Sequence, residues 1–321
     1  MNKIMRYLIT GAAGFIGFHL ANKLSKNKKN LILGIDSINN YYSTKVKNLR
    51  LNLLKKNKNF IFKKINLENK KKTNNIIKKF KPDTVYHLAG QPGVLYSFKN
   101  PKSYKKNNIN ATNVIANVCK NYDVKNFIYA SSSSIYGDQK KFPIQENFKE
   151  NPKNYYAITK SKCEKILKKV FLYSNTNYVM FRFFTVYGPL GRPDMFIHKF
   201  LNSMKLNKKI LLYNNGLNFR DFTYIDDVVK ILKLSSKKMP GNKILNICRS
   251  KPIQNLKLVK LITKIYGKKK VKIFNTGFVK GEMLKTHGSN KLLRKNFKKL
   301  KFIDINYGLK KTIKFFKVYG F

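Results

Sequence analysis

Short apolar runs alternate with longer helical patterns along the first half of this chain. Arg6–Thr10 (RYLIT) is long enough for a buried strand. A glycine-bearing turn follows, and then a helical pattern through Leu24. Leu31–Ile35 (LILGI) predicts a second strand, Phe60–Ile65 a third and Thr84–Leu88 (TVYHL) a fourth. Asn126–Ala130 (NFIYA) and Tyr178–Phe183 predict a fifth and a sixth, and Pro101–Tyr122 reads as helix. Such alternation predicts an α/β fold, a Rossmann-type doubly wound parallel sheet. Beyond Phe183 glycines and prolines crowd into Thr185-Val-Tyr-Gly-Pro189 and Gly191-Arg-Pro-Asp194, where the chain is expected to leave the sheet. The expected division is residues 1–183 for the sheet domain and 184–321 for a smaller α/β substrate lobe. Residues 220–236 are expected to return to the first domain.

The first turn carries chemistry. Gly11, Gly14 and Gly17 stand between a strand and a helix, and the second strand ends in Asp36, 19 residues after Gly17. Glycines let a backbone approach a pyrophosphate, and the helix N-terminus faces its charge. Asp36 is placed to accept from the adenosine ribose hydroxyls and would repel a 2′-phosphate, which favours NAD over NADP. Asn66, just after strand three, can hydrogen-bond adenine through its amide. His19, inside the first helix, reads as a packing residue.

A second pair lies in Asn154–Lys160 (NYYAITK). Tyr156 and Lys160 are four residues apart, on one helical face. A free Tyr has a pKa of about 10, and a nearby ammonium favours its phenolate. The pair is suited to taking a proton from an alcohol and returning it. Ser131–Ser134 lie at the carboxyl end of the fifth strand, where ligands of such sheets bind. Asn218–Asp227 (NFRDFTYIDD) holds polar and charged residues expected to reach a ligand.

Charge changes the picture less than its size suggests. The formal net charge is +54, which ordinarily points to nucleic acid or an anionic membrane. Here the lysines are spread evenly, in company with Asn, Ile, Phe and Tyr, as an A/T-biased genome would produce. Phosphate and base recognition favours arginine forks. No nucleic-acid or membrane partner is therefore expected, and the rival reading is a non-catalytic nucleic-acid-binding relative. No apolar run reaches 18 residues, and the opening MNKIMRYLIT reads as leading into a strand, so no secretory leader is expected. The three cysteines, Cys119, Cys163 and Cys248, show no metal-ligand spacing and read as reduced thiols of a cytoplasmic protein.

Taken together, GAAGFIGFHL, GIDSINNYY, HLAGQPGV, ASSSSIYG, YYAITK, RFFTVYGPLGRPDM and RDFTYIDD resemble the extended short-chain dehydrogenases/reductases in order and spacing. Within them the chain is similar to the NAD-dependent nucleotide-sugar epimerases, above all those acting on UDP-glucuronate. The resemblance implies that Gly11, Gly14, Phe15, Ile16, Gly17, Asp36, Asn66, Leu67, Leu88 and Ala89 bind NAD. It implies that Tyr156 is the acid/base, that Lys160 is its partner and reaches the nicotinamide ribose, and that Ser132 is the catalytic hydroxyl. Ser133 and Ser134 would line the sugar pocket. Thr185 and Arg192 would hold the sugar carboxylate, Arg220 the diphosphate and Glu282 the uridine ribose. It also implies a homodimer built on the helices around Pro101–Tyr122 and Asn151–Tyr173. Leu95 stands where the uronate branch commonly has Arg, which leaves UDP-glucose/galactose and UDP-N-acetylhexosamine epimerases open. Nucleotide-sugar 4,6-dehydratases need an Asp-Glu pair where this chain has Ser133 and Ser134.

Overall fold

A computed structural model describes residues 4–267, 271–277 and 283–320. The chain divides into two compact units. One comprises Met1–Gly137, Lys149–Arg182 and Val229–Leu245; the other comprises Asp138–Phe148, Phe183–Val228 and Asn246–Phe321. The segment that returns to the first unit is thus Val229–Leu245 rather than 220–236. Asp138–Phe148 groups with the second unit, although it lies inside the expected first domain. Backbone contacts explain that grouping: the Ile144 N–H donates to the His287 carbonyl and its own carbonyl accepts from Ser289.

The first unit carries β1 (Met5–Thr10), α1 (Phe15–Ser25), β2 (Asn30–Asp36), α2 (Thr44–Lys55), β3 (Phe60–Lys64), α3 (Lys70–Phe80) and β4 (Thr84–His87). It continues with α4 (Val94–Lys99), α5 (Pro101–Tyr104), α6 (Ala111–Asn121), β5 (Asn126–Ser132), α7 (Tyr155–Val170) and β6 (Asn177–Phe183). The sheet has seven strands in the order Lys243–Ile247, β6, β5, β4, β1, β2, β3. Its β1–β2, β2–β3, β1–β4 and β4–β5 pairs are parallel. All four residues of β4 are buried, as in the centre of a sheet covered on both faces. Edge strand β3 exposes Ile61, Lys63 and Lys64, and the two lysines discourage pairing with another chain. Leu8, Ile35, Val85, Phe127, Leu167 and Met180 belong to one core cluster. Each such side chain contributes roughly 1.5–3 kcal/mol on burial.

Strand order reverses between β1 and β4, whose last residues, Thr10 and His87, are partners in register. Ligands of open α/β sheets bind outside the strand ends at such a switch point.

The expected single helix Pro101–Tyr122 is interrupted. Between α5 and α6, Lys105–Asn110 is π-helical, a widening by one residue that often marks a functional site. It turns Asn108 inward, where Oδ1 accepts from the Gln91 N–H at 2.6 Å and Nδ2 donates to Gln91 O (3.2 Å) and Thr159 Oγ1 (3.0 Å). An apolar periodicity cannot report a break made by a polar side chain.

The second unit is built from short strand pairs. Thr185–Tyr187 runs parallel to Phe222–Tyr224, Phe219–Arg220 antiparallel to Ile253–Gln254, and Ile210–Tyr213 parallel to Ile273–Thr276. Helices Phe196–Lys205, Asn255–Tyr266 and Ile305–Tyr319 accompany them.

Candidate active site

The glycine turn is shaped by backbone contact. Gly11 has φ +70°, and a Cβ there would lie 2.9 Å from the Ala89 nitrogen, so the ends of β1 and β4 touch only because Gly11 has no side chain. A Cβ on Gly17 would meet the Gly11 carbonyl oxygen at 2.1 Å, so helix and turn are equally close. Gly14 occupies the N-cap of α1. No side chain caps that end and no acidic residue lies in its first turn. Partial positive charge from the first N–H groups, at Phe15, Ile16 and Gly17, remains for an anion. This cradle fits the pyrophosphate of a dinucleotide.

Asp36 closes the other side. Its carboxylate accepts from the Ala13 N–H (3.1 Å) and the Ile38 N–H (2.8 Å). Burial pushes the carboxyl above its usual range, while those donors and the charges of Lys47 and Arg50 pull it down. Arg50 is completely buried and donates to the Ala13 carbonyl (3.0 Å) and the Tyr42 hydroxyl (2.8 Å). Ala13 is thereby gripped at both its N–H and its C=O. Leu67 is buried, Leu88 and Ala89 are half-buried at the end of β4, and Asn66 is exposed. His19 packs edge-on against Phe15 and Phe18.

Helix α7 is started by Asn154, whose side chain accepts from the Ala157 N–H. Tyr156 is half-buried in its first turn, its ring edge-on to Tyr104 at 6.2 Å. One turn on, Lys160 is buried, and its ammonium donates to the Ala130 carbonyl (2.7 Å) and the Tyr129 hydroxyl (3.3 Å). Tyr129 stacks on His87, which is hydrogen-bonded to Thr10 Oγ1 and Thr112 Oγ1, each at 2.9 Å. Burial, with the Lys160 charge adding to it, lowers the His87 pKa to about 3, so the imidazole is neutral. The cation beside the end of β5 is therefore Lys160, not His87.

Ser132 ends β5 two residues beyond Ala130. Its hydroxyl lies 2.7 Å from that of Ser134, and it accepts from the Ser134 N–H at 3.2 Å. Ser133 and Ser134 continue into a 3-10 turn, Ser133–Tyr136, in which Ser134 is buried. These are the features of a proton-transfer site at a sheet switch point, with a dinucleotide cradle on the same sheet.

In the second unit Thr185 is half-buried and its N–H donates to the Asp221 carbonyl. Arg192 makes a two-pronged pair with Asp194, through Nε (3.0 Å) and Nη2 (2.5 Å). Arg220 is half-buried and donates to Phe219 O at 2.9 Å. Glu282 lies outside the described residues. The expectation for Asn218–Asp227 needs correction, because several of its polar groups serve the fold. Asp221 is fully buried and accepts from the N–H groups of Arg249, Ser250 and Gly288. Asp227 accepts from the Ile303 N–H, and Asn218 from the Asn214 amide. A buried carboxylate that ties loops together looks, in sequence, like one awaiting a ligand.

The model of the NAD dependent epimerase/dehydratase family matches residues 7–248. The chain belongs to that family. A UDP-glucuronate 4-epimerase of Thermodesulfobacterium geofontis is 35% identical over 313 residues, covering 97% of this chain and 96% of that one. The crystal structure of the UDP-glucuronic acid 4-epimerase from Bacillus cereus, in complex with UDP-glucuronic acid and NAD, superposes with a TM-score of 0.92. It is 30% identical and covers 98% of this chain and 99% of that one. A UDP-glucose 4-epimerase of Thermotoga maritima with UDP-glucose has a TM-score of 0.89 at 29% identity, over 98% of this chain and 99% of that one.

For a member of this family, four structural partners were not legible beforehand: Arg50, Asn108, Tyr129 and Asp194. Arg50 and Asn108 are buried groups whose partners lie far away in sequence. Tyr129 looked like one more aromatic in an apolar strand. Asp194 stands two residues from Arg192, and that spacing was the one available signal.

Proposed function

We propose that this protein is an NAD-dependent epimerase that converts UDP-glucuronate to UDP-galacturonate by inverting C4 through a transient 4-keto sugar. The observation that carries the chemistry is Lys160, buried one turn from Tyr156 and fastened to the Ala130 carbonyl beside Ser132. The choice of sugar is supported by likeness over nearly the whole chain to epimerases of UDP-glucuronate.

NAD, when bound, accepts a hydride from C4 and returns it. Gly11, Gly14, Gly17 and the N-terminus of α1 bind its pyrophosphate, and Asp36 its adenosine ribose. Tyr156 takes the proton of the sugar 4-hydroxyl and later gives it back, with the Lys160 charge favouring its phenolate. Ser132 hydrogen-bonds the C4 oxygen and stabilises developing charge there. The ketone turns between the two transfers, so hydrogen returns on the opposite face. A 4-keto uronic acid is a β-keto acid and can lose CO2. Thr185 and Arg192 hold its carboxylate so that C–C cleavage is poorly aligned. Ser133 and Ser134 line the sugar pocket, Arg220 binds the diphosphate and Glu282 the uridine ribose.

Leu95, 41% exposed on α4, favours a second reading in which the substrate is UDP-glucose/galactose or a UDP-N-acetylhexosamine. Incubation with UDP-glucuronate, UDP-glucose and UDP-N-acetylglucosamine, followed by NMR, separates these. UDP-galacturonate without CO2 supports the proposal. A pentose product refutes the carboxylate assignment, and turnover of the neutral sugars alone moves the substrate.

The assembly we propose is a homodimer through α6 and α7, supported by exposed Tyr122 and Leu172 and by Tyr173, which is 88% exposed. Cytoplasmic residence is supported by three buried thiols. Among the described residues no helix is long and apolar enough to cross a membrane.

A further inference from the structure

Below the proposed catalytic groups, α7 carries a third polar side chain on the same stripe. Tyr156, Lys160 and Glu164 are spaced four apart, so they follow one another along one helix face. Glu164 is 2% exposed and meets two partners. Its Oε1 accepts from the Ser131 hydroxyl at 2.5 Å, and Oε1 and Oε2 take Arg182 Nε and Nη2 at 3.0 and 2.7 Å. Arg182, equally buried on β6, also donates to Glu150, which accepts from the Ser161 hydroxyl at 2.6 Å. The Arg182 guanidinium stacks over the Tyr136 ring, 4.7 Å from its centre.

We propose that Glu164, with Arg182, is a positioning residue of the epimerase reaction that holds the serine segment 131–136 against the Tyr156–Lys160 helix. One ion cluster grips both ends of that segment, Ser131 through Glu164 and Tyr136 through Arg182. Successive strand residues face opposite sides, so fixing Ser131 inward fixes the direction of Ser132 outward. Lys160 secures the preceding carbonyl, that of Ala130. Two consecutive residues at the end of β5, Ala130 and Ser131, are thus tied to α7, and on this proposal they set the direction of Ser132 relative to Tyr156. Buried ion pairs are weak sources of stability and are better suited to setting a unique arrangement. The Tyr-Lys motif extends here to Tyr-x-x-x-Lys-x-x-x-Glu.

The inference rests on the roles proposed for Tyr156 and Ser132. Its test uses the full chain with its bound NAD and the UDP-sugar that the protein turns over. Ser131→Ala removes only the hydroxyl that Glu164 holds, and Glu164→Gln removes the charge at constant shape. Displacing a reacting group by about 1 Å costs on the order of a hundredfold in rate. Ser131→Ala is expected to lower kcat about tenfold and Glu164→Gln about a hundredfold. KM should stay within about threefold and NAD content should be unchanged. If Glu164→Gln fails to fold, Ser131→Ala alone decides. Full kcat per NAD-loaded molecule in Ser131→Ala, even with a lowered Tm, overturns the proposal. Tyr156→Phe, measured alongside, separates the two readings. If it stays active, the assignment of Tyr156 fails. If it is inactive while Ser131→Ala is normal, only the positioning role fails.

Discussion

Arg50 donates from Nη1 to the carbonyl oxygen of Ala13 at 3.0 Å from a position with no solvent exposure. The two residues are 37 positions apart, and the bond fixes the peptide that precedes Gly14 in the cofactor turn. Arg50→Met leaves that carbonyl unpaired and takes one of two neighbouring cations from the Asp36 carboxylate, leaving Lys47. A hydrogen bond to a charged group contributes roughly 1.5–3 kcal/mol. The variant is expected to melt lower and to retain less NAD after purification, as read by thermal denaturation and by release of bound nucleotide.

Gly17→Ala places a methyl 2.1 Å from the Gly11 carbonyl oxygen, against backbone that cannot move aside. Loss of NAD binding is expected, with whatever chain still folds free of nucleotide. Isothermal titration with NAD reads this directly, and ordinary affinity would contradict the close-approach account.

Tyr156→Phe keeps the ring against Tyr104 and removes only the hydroxyl. At least about a hundredfold loss in kcat is expected, the usual scale for an acid/base group, with NAD still bound. Near-normal turnover would sink the assignment.

Arg192→Lys keeps the charge but not the fork that pairs with Asp194. The expected result is a fall of about tenfold or more in kcat/KM for UDP-glucuronate with neutral UDP-sugars unaffected. Leu95→Arg should move the same ratio the other way. Parallel kinetics on the two substrate types check both variants.

His87 predicts a response to acid. Its folded pKa of about 3 lies below the unfolded value of about 6.5, so the native state favours the neutral ring. That contribution is complete above pH ~6.5 and is lost as pH falls toward ~3. At pH ~5 the loss is roughly 2 kcal/mol, from about 1.5 pH units below the unfolded pKa. Urea midpoints at neutral and mildly acidic pH should show the drop in the native chain and a smaller one in His87→Gln.

Much of this protein was written in linear order. The strand patterns placed β1 to β6 within a residue or two, because fully buried parallel strands are continuous apolar runs. Gly11 and Gly17 were legible because their spacing follows from a turn that is itself local, and Asp36 because it ends the next apolar run. Tyr156 and Lys160 were legible because a helix repeats every 3.6 residues. The tertiary structure alone decided what those groups rest on. Arg50 meets Ala13, Asn108 meets Gln91 and Thr159, and Glu164 meets Ser131 and Arg182 across separations of 17 to 51 residues. Asp221 went the other way, from expected ligand group to buried tie between loops. A buried polar side chain must find a hydrogen-bonding partner, but its identity gives no direction along the chain, and only packing brings that partner within reach.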